Sequence, residues 1–96
     1  MTAGSLEEAR RIGRELVSAK LAACVNILPQ MQSICVWEGR LQEEAEAVLI
    51  AKTTAARVAE LIAKVKSLHS YEVPCVVSLS VEEGYAPFLE WIAASV

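Results

Sequence analysis

His69 is the only histidine in a chain of 96 residues, and it stands six residues before Cys75, one of three cysteines. An imidazole and a thiolate are ligand types that suit copper or zinc. Together His69 and Cys75 are the candidate metal pair, with the competing reading that each packs as an ordinary small or loop residue, as free cysteine often does. Cys24 and Cys35 are far from both, and no C-x-x-C pair is present, so a structural zinc site is not expected. Nucleophile chemistry finds no support. No serine or cysteine has a fixed sequence relation to His69. Glu43, Glu44 and Glu46 read as the solvated edge of a strand, and Gly4, Gly13, Gly39 and Gly84 form no phosphate loop. The expectation is a protein without catalysis and without a required cofactor.

The elements that must carry these residues follow from periodicity. Ser5-Leu6-Glu7-Glu8 is a capping box. Leu6, Ala9, Ile12, Gly13, Leu16 and Val17 then recur at helical spacing, which predicts a first helix over 6–21. Cys24–Leu28 is β-prone and stops at Pro29. Gln32–Glu38 is β-prone again, and Glu38-Gly39-Arg40 is a turn signal. Leu41–Thr53 returns antiparallel, closing a long hairpin near Gly39. Thr53 or Thr54 caps a second helix to about Leu68, with Val58, Leu61, Ile62, Val65 and Leu68 as its apolar stripe. His69–Pro74 is a connection, Cys75–Val81 a strand, and Pro87 opens a short final helix through Phe88, Trp91 and Ile92. The order α-β-β-α-β-α becomes βαββαβ, the ferredoxin-like pattern, with one strand in front. The fold class is thus α+β, a ferredoxin-like βαββαβ sandwich with an extra C-terminal helix, in one domain. Its central first strand is reduced to Met1–Ala3, and the expectation is that residues are missing ahead of Met1.

Composition asks for a partner. Hydrophobic residues make up 54% of the chain, more than a core of this size absorbs. No apolar run approaches a membrane span, and no signal peptide is visible. A subunit interface is the remaining outlet, so the chain reads as a subunit of a symmetric homo-oligomer. The net charge of −3, with nine Lys and Arg spread along the chain, disfavours nucleic acid and anionic membranes. Three scattered cysteines suit a reducing cytoplasm.

Several strings together resemble the CutA family of divalent-cation tolerance proteins: Lys20–Asn26, Ser33-Ile34 with Trp37-Glu38-Gly39, Lys52-Thr53, His69–Pro74, and Glu83-Gly84 with Leu89 and Trp91. The resemblance implies a ferredoxin-like homotrimer in which long hairpins extend sheets across subunits. It implies a role in copper or other divalent-cation tolerance and a shape shared with PII signalling proteins. It also implies that Trp37, Glu38, Lys52 and Tyr71 line the trimer interface or a cleft between subunits. The copper ligands proposed for the family fall here on Met1 and on Leu68-His69, of which only His69 is a strong ligand.

Helix 2 departs from that pattern. Ala55, Ala56, Ala59, Ile62 and Ala63 stand where the family carries charged or long polar residues, and Tyr85 where Asn or Asp is usual. Drift toward alanine, the best helix former, accounts for this. So does a second interface, natural or engineered, that docks another protein subunit on the trimer. Three functions therefore stand: cation tolerance, an assembly subunit, and a PII-like signalling module.

Overall fold

The computed structural model describes residues 1–96. Helix α1 (Leu6–Ser18) begins as the capping box dictates: the Glu8 N–H donates to Ser5 Oγ at 3.1 Å, and Glu8 Oε1 accepts from the Gly4 N–H at 3.0 Å. The helix ends three residues earlier than the apolar pattern runs. Lys20 takes a positive φ of 58°, the Lys20 N–H donates to the Val17 carbonyl, and the Leu21 N–H reaches back to the Leu16 carbonyl at 2.9 Å. This is a Schellman stop. It turns Leu21 inward, where it joins Leu16 in the core.

Met1–Ala3 is not an empty remnant. Thr2–Ala3 forms strand β1, antiparallel to β3 in register Thr2↔Val48. Strand β2 (Cys24–Trp37) is continuous where the sequence suggests a break at Pro29, and β3 (Arg40–Lys52) returns from the turn. β2 is an edge strand in the order β1-β3-β2, so a missing N–H is tolerated there. The register changes from Leu28↔Val48 to Met31↔Glu46, a one-residue bulge that absorbs Pro29 and Gln30. At the tip, Glu38 and Gly39 both have positive φ (51° and 78°), which gives the two-residue turn whose twist matches a hairpin.

Thr54 precedes a 3-10 turn (Ala55–Arg57) that leads into α2 (Val58–Leu68), and its side chain makes no capping bond. Thr53 does not cap either. Its hydroxyl donates to the Leu21 carbonyl at 2.7 Å, tying the end of β3 to the end of α1. Helix α3 (Ala86–Ser95) closes the chain. The run Cys75–Val81, expected as a strand, forms no ladder. Its one backbone bond to β1 is from the Thr2 N–H to the Cys75 carbonyl, 3.3 Å.

α1 and α2 pack on the face of the sheet that carries Ala3, Ala47 and Leu49. Ile12, Leu16, Leu49 and Val65 are the large side chains fully buried there, each contributing about 1.5–3 kcal/mol through burial. Gly13 lets α1 approach β2 closely: a Cβ there would stand 3.3 Å from Val25 Cγ1. Only 13 of 96 residues are buried, so most of the chain's apolar surplus is not consumed by this core.

Candidate functional site

The polar cluster with the most buried chemistry sits where the loop after α2 meets the start of the chain. His69 is the residue at its centre. Its side chain is fully buried. The Tyr71 N–H donates to His69 Nδ1 at 3.0 Å, and His69 Nε2 lies 2.8 Å from the Thr2 carbonyl. Accepting at one nitrogen and donating at the other defines a neutral imidazole protonated on Nε2. Both nitrogens are thereby used inside the protein. A metal at His69 would displace one of these bonds and leave a backbone group without its partner. The metal role expected for His69 therefore does not fit this geometry.

Glu8 is the second member. Its Oε1 accepts from the Gly4 N–H, and its Oε2 accepts from the Ser70 N–H at 2.8 Å. Arg11 stands 3.8 Å away and itself donates to the Leu68 carbonyl at 3.0 Å. Burial acts to raise the Glu8 carboxyl. The hydrogen bonds from Ser70 and Gly4 outweigh it and hold the group below the usual carboxylate value. Tyr71 is the third. Its hydroxyl donates to Glu46 Oε2 at 2.9 Å, and its ring packs 4.6 Å, centroid to centroid, from His69. Burial, then the bond to Glu46 and the negative charges of Glu46, Glu44 and Glu8, push the phenol up to about 12. The arrangement fastens four segments of the chain: β1, the first turn of α1, the 69–71 loop and β3. It holds no nucleophile beside a base.

Cys75 is exposed, as is Cys35, while Cys24 is half-buried; all three are free thiols. No group of three or more His, Cys, Asp or Glu side chains is placed to hold a metal ion. Met1, the other ligand position implied by resemblance, instead packs against the core and pairs with Leu49.

The expected cleft residues are not together in one subunit. Trp37 pairs with Arg40 at one end of the hairpin, and Lys52 with Cys24 at the other, about 40 Å apart at ~3.3 Å per residue. Glu38 is in the tip turn, and Tyr71 is in the His69 cluster. A second subunit would be needed to bring the tip to the base. Ala55, Ala56, Ala59, Ile62, Ala63 and Tyr85, the residues expected at a second interface, are all exposed. Ala55 and Ile62 border an apolar cleft against β3.

The bulge gives the hairpin arm a second apolar surface. Directly paired residues share a face. Below the bulge, Ile27↔Leu49 and Val25↔Ala51 face the helices. Above it, the same face carries Ile34↔Glu43, Val36↔Leu41 and Gln32↔Ala45. Ile34, Val36 and Leu41 are 66%, 67% and 69% exposed. The core face of the sheet thus runs on past the helices with nothing over it. The sequence marked the hairpin but not this surface, because a Pro read as a stop hid the change of register.

Comparison with known proteins accords with the geometry. The profile of the CutA1 divalent ion tolerance protein family matches residues 1–95. The chain is 45% identical over 96 residues to the divalent-cation tolerance protein CutA of Archaeoglobus fulgidus, covering 100% of this chain and 93% of that protein. It is 48% identical over 84 residues to a CutA homologue of Xenopus laevis, covering 88% of this chain but only 56% of that protein. The solved structure of the periplasmic divalent cation tolerance protein CutA from Archaeoglobus fulgidus superposes with a TM-score of 0.95 at 44% identity, covering 98% of this chain and 91% of that one. A match along the whole chain, in sequence and in fold, identifies the protein as a member of the CutA1 divalent ion tolerance family.

Proposed function

We propose that this protein serves divalent-cation tolerance as a non-catalytic homotrimer, with copper as the ion and the cytoplasm as its setting. The observation that carries the assembly is the uncovered apolar arm: Ile34, Val36 and Leu41 continue the core face beyond the helices. An exposed hairpin of this length invites uncontrolled pairing unless a closed ring covers its edge. The ring would also bring Trp37 and Glu38 of one subunit to Lys52 and Tyr71 of the next, the inter-subunit cleft that the four residues do not form alone. The His69 cluster supports the absence of catalysis, since its polar atoms are spent on backbone groups.

Copper is favoured by the free donors. The three thiols are soft ligands with no disulfide partner, and unpaired thiols suit a reducing cytoplasm. Cys75 is the thiol adjoining β1 and the His69 loop. The test is sedimentation equilibrium with and without copper, paired with a Cu(I) competition titration. A mass of three 10.4-kDa chains in both conditions, and an affinity that falls about tenfold in Cys75→Ser but not in His69→Gln, is the expected result. A monomer, or an affinity unchanged in Cys75→Ser, refutes the corresponding half of the reading.

A further inference from the structure

The His69 side chain is fully buried, yet its bonds depend on a single protonation state. Nε2 donates to the Thr2 carbonyl at 2.8 Å, and Nδ1 accepts from the Tyr71 N–H at 3.0 Å. Only a neutral ring does both. A proton added at Nδ1 turns that nitrogen into a donor that faces another donor. The bond to Tyr71 is then lost, while the bond to Thr2 is kept. Histidine is the side chain that ordinarily changes charge between about pH 5 and pH 8, so acid is the signal to which this pair of bonds responds.

A second acceptor is within reach. Glu8 Oε2 lies 4.0 Å from His69 Nδ1, about 1 Å beyond a hydrogen bond. That oxygen already accepts from the Ser70 N–H at 2.8 Å, and a carboxylate oxygen has a further lone pair to give. Glu8 is held below the usual carboxylate value, so it is still an anion where an imidazole gains its proton. The other elements around the ring offer Nδ1 no acceptor. β1 presents the uncharged Thr2 carbonyl, which Nε2 already uses. On α1, Arg11 is a cation turned to the Leu68 carbonyl, 3.8 Å from Glu8 Oε2. On α2, Lys66 donates to the Glu72 carbonyl. On β3, Glu46 accepts from the Tyr71 hydroxyl at 2.9 Å, and the Glu44 charge acts on the same phenol.

We propose that His69 and Glu8 form an acid-operated latch on Tyr71. With the ring neutral, Nδ1 holds the Tyr71 N–H and fixes the 69–71 loop. With the ring protonated, the Nδ1–H bonds to Glu8 and the Tyr71 N–H is released. Ser70 stays on Glu8, so the loop loosens at Tyr71 alone, whose remaining tie is its hydroxyl bond to Glu46. One neutral bond is lost and one charge-assisted bond is gained, against the cost of burying a charged ring. Opposing terms of that kind make an element with two discrete positions. Tyr71 is also among the residues that would line the inter-subunit cleft. An acid-weakened cleft follows only on the trimeric reading, whereas the latch does not depend on it.

The experiment uses the 96-residue protein between pH 8 and pH 5. Imidazole nitrogen shifts by NMR report the state of His69, and amide exchange, expressed as protection factors, reports Ser70 and Tyr71. The expected result is the Nε2–H tautomer at pH 8 and a protonated ring at pH 5. Tyr71 protection should fall about tenfold in step with the ring, with Ser70 and α1 unchanged. Glu8→Gln, which keeps an acceptor for Ser70 and removes the anion, is expected to require about tenfold more acid for the same release. His69→Gln, which does not titrate, is expected to abolish the pH dependence at Tyr71; where that variant fails to fold, the Glu8→Gln midpoint decides. A ring still neutral at pH 5 overturns the latch. So does Tyr71 protection that does not follow the ring, a loss shared by Ser70 and α1, or a midpoint unmoved in Glu8→Gln. Release of Tyr71 in step with the ring supports the latch even in a protein that sediments as a monomer, where only the consequence for the cleft fails.

Discussion

Replacing Glu8 by glutamine keeps its shape and removes its charge, which separates the two services the residue performs. The side chain accepts from Gly4 and Ser70, joining the start of α1 to the loop after α2. Because its folded pKa lies below the usual carboxylate value, the stabilisation is fully present above that value and is lost as pH falls through the folded pKa. Glu8→Gln should therefore be less stable at pH 7 by about 1 kcal/mol, with the difference vanishing in urea titrations near pH 3. Tyr71 works in the opposite sense. Its folded pKa is raised from 10.0 to about 12, so the neutral phenol is favoured in the fold, and stability present below pH 10 is lost as pH rises toward 12. Tyr71→Phe should flatten that alkaline loss, read as the change in Tm between pH 9 and pH 12. At this scale the sequence was informative only where partners are close. The Ser5–Glu8 box was legible from spacing. The bond from His69 to Thr2 spans 67 residues and left no local signal, so a residue that resembled a ligand proved to be a buried brace.

Helices and strands were legible wherever their own periodicity decided them, and not where a neighbour did. Helix α1 was placed correctly at its start, but its end depends on Lys20 adopting a conformation that lysine does not advertise. The 75–81 run has the composition of a strand and no ladder, because a strand requires a bonded neighbour along its length as well as propensity. The tip turn offers a test of local strain. Glu38 holds a positive φ that Asn tolerates better, so Glu38→Asn should stabilise the protein by about 0.5–1 kcal/mol. Chemical denaturation at fixed protein concentration measures this, and an unchanged or lowered midpoint would count against the strain.

The molecule as a whole is long for its mass, 45 × 26 × 21 Å, and its buried residues are gathered under the helices while the arm extends bare. Composition had announced a surplus of apolar residues, and the structure shows where part of it lies. If the arm is covered by neighbouring subunits, Val36→Glu should leave the helix-covered core intact and lower the sedimentation mass, whereas an unchanged mass would place the subunit contact elsewhere. Such a substitution would cost about 1–3 kcal/mol per subunit through desolvation at the contact.

The bulge at Pro29 and Gln30 gives the arm an unusual response to changes in length. β2 carries one residue more than β3 between the pairs Leu28↔Val48 and Met31↔Glu46. Deleting either residue would remove the excess and leave plain pairing from Leu28↔Val48 to Met31↔Glu46. Because β3 is untouched, Ile34 and Val36 would keep their partners and their face. A deletion in the regular ladder above the bulge acts differently. Losing Ser33 would turn Cys35 and Trp37 toward the side where Ile34 and Val36 now stand. Any subunit shaped to meet this arm would then meet altered side chains from that point to the turn. The bulge is thus a place where β2 can lose a residue without reversing the arm beyond it.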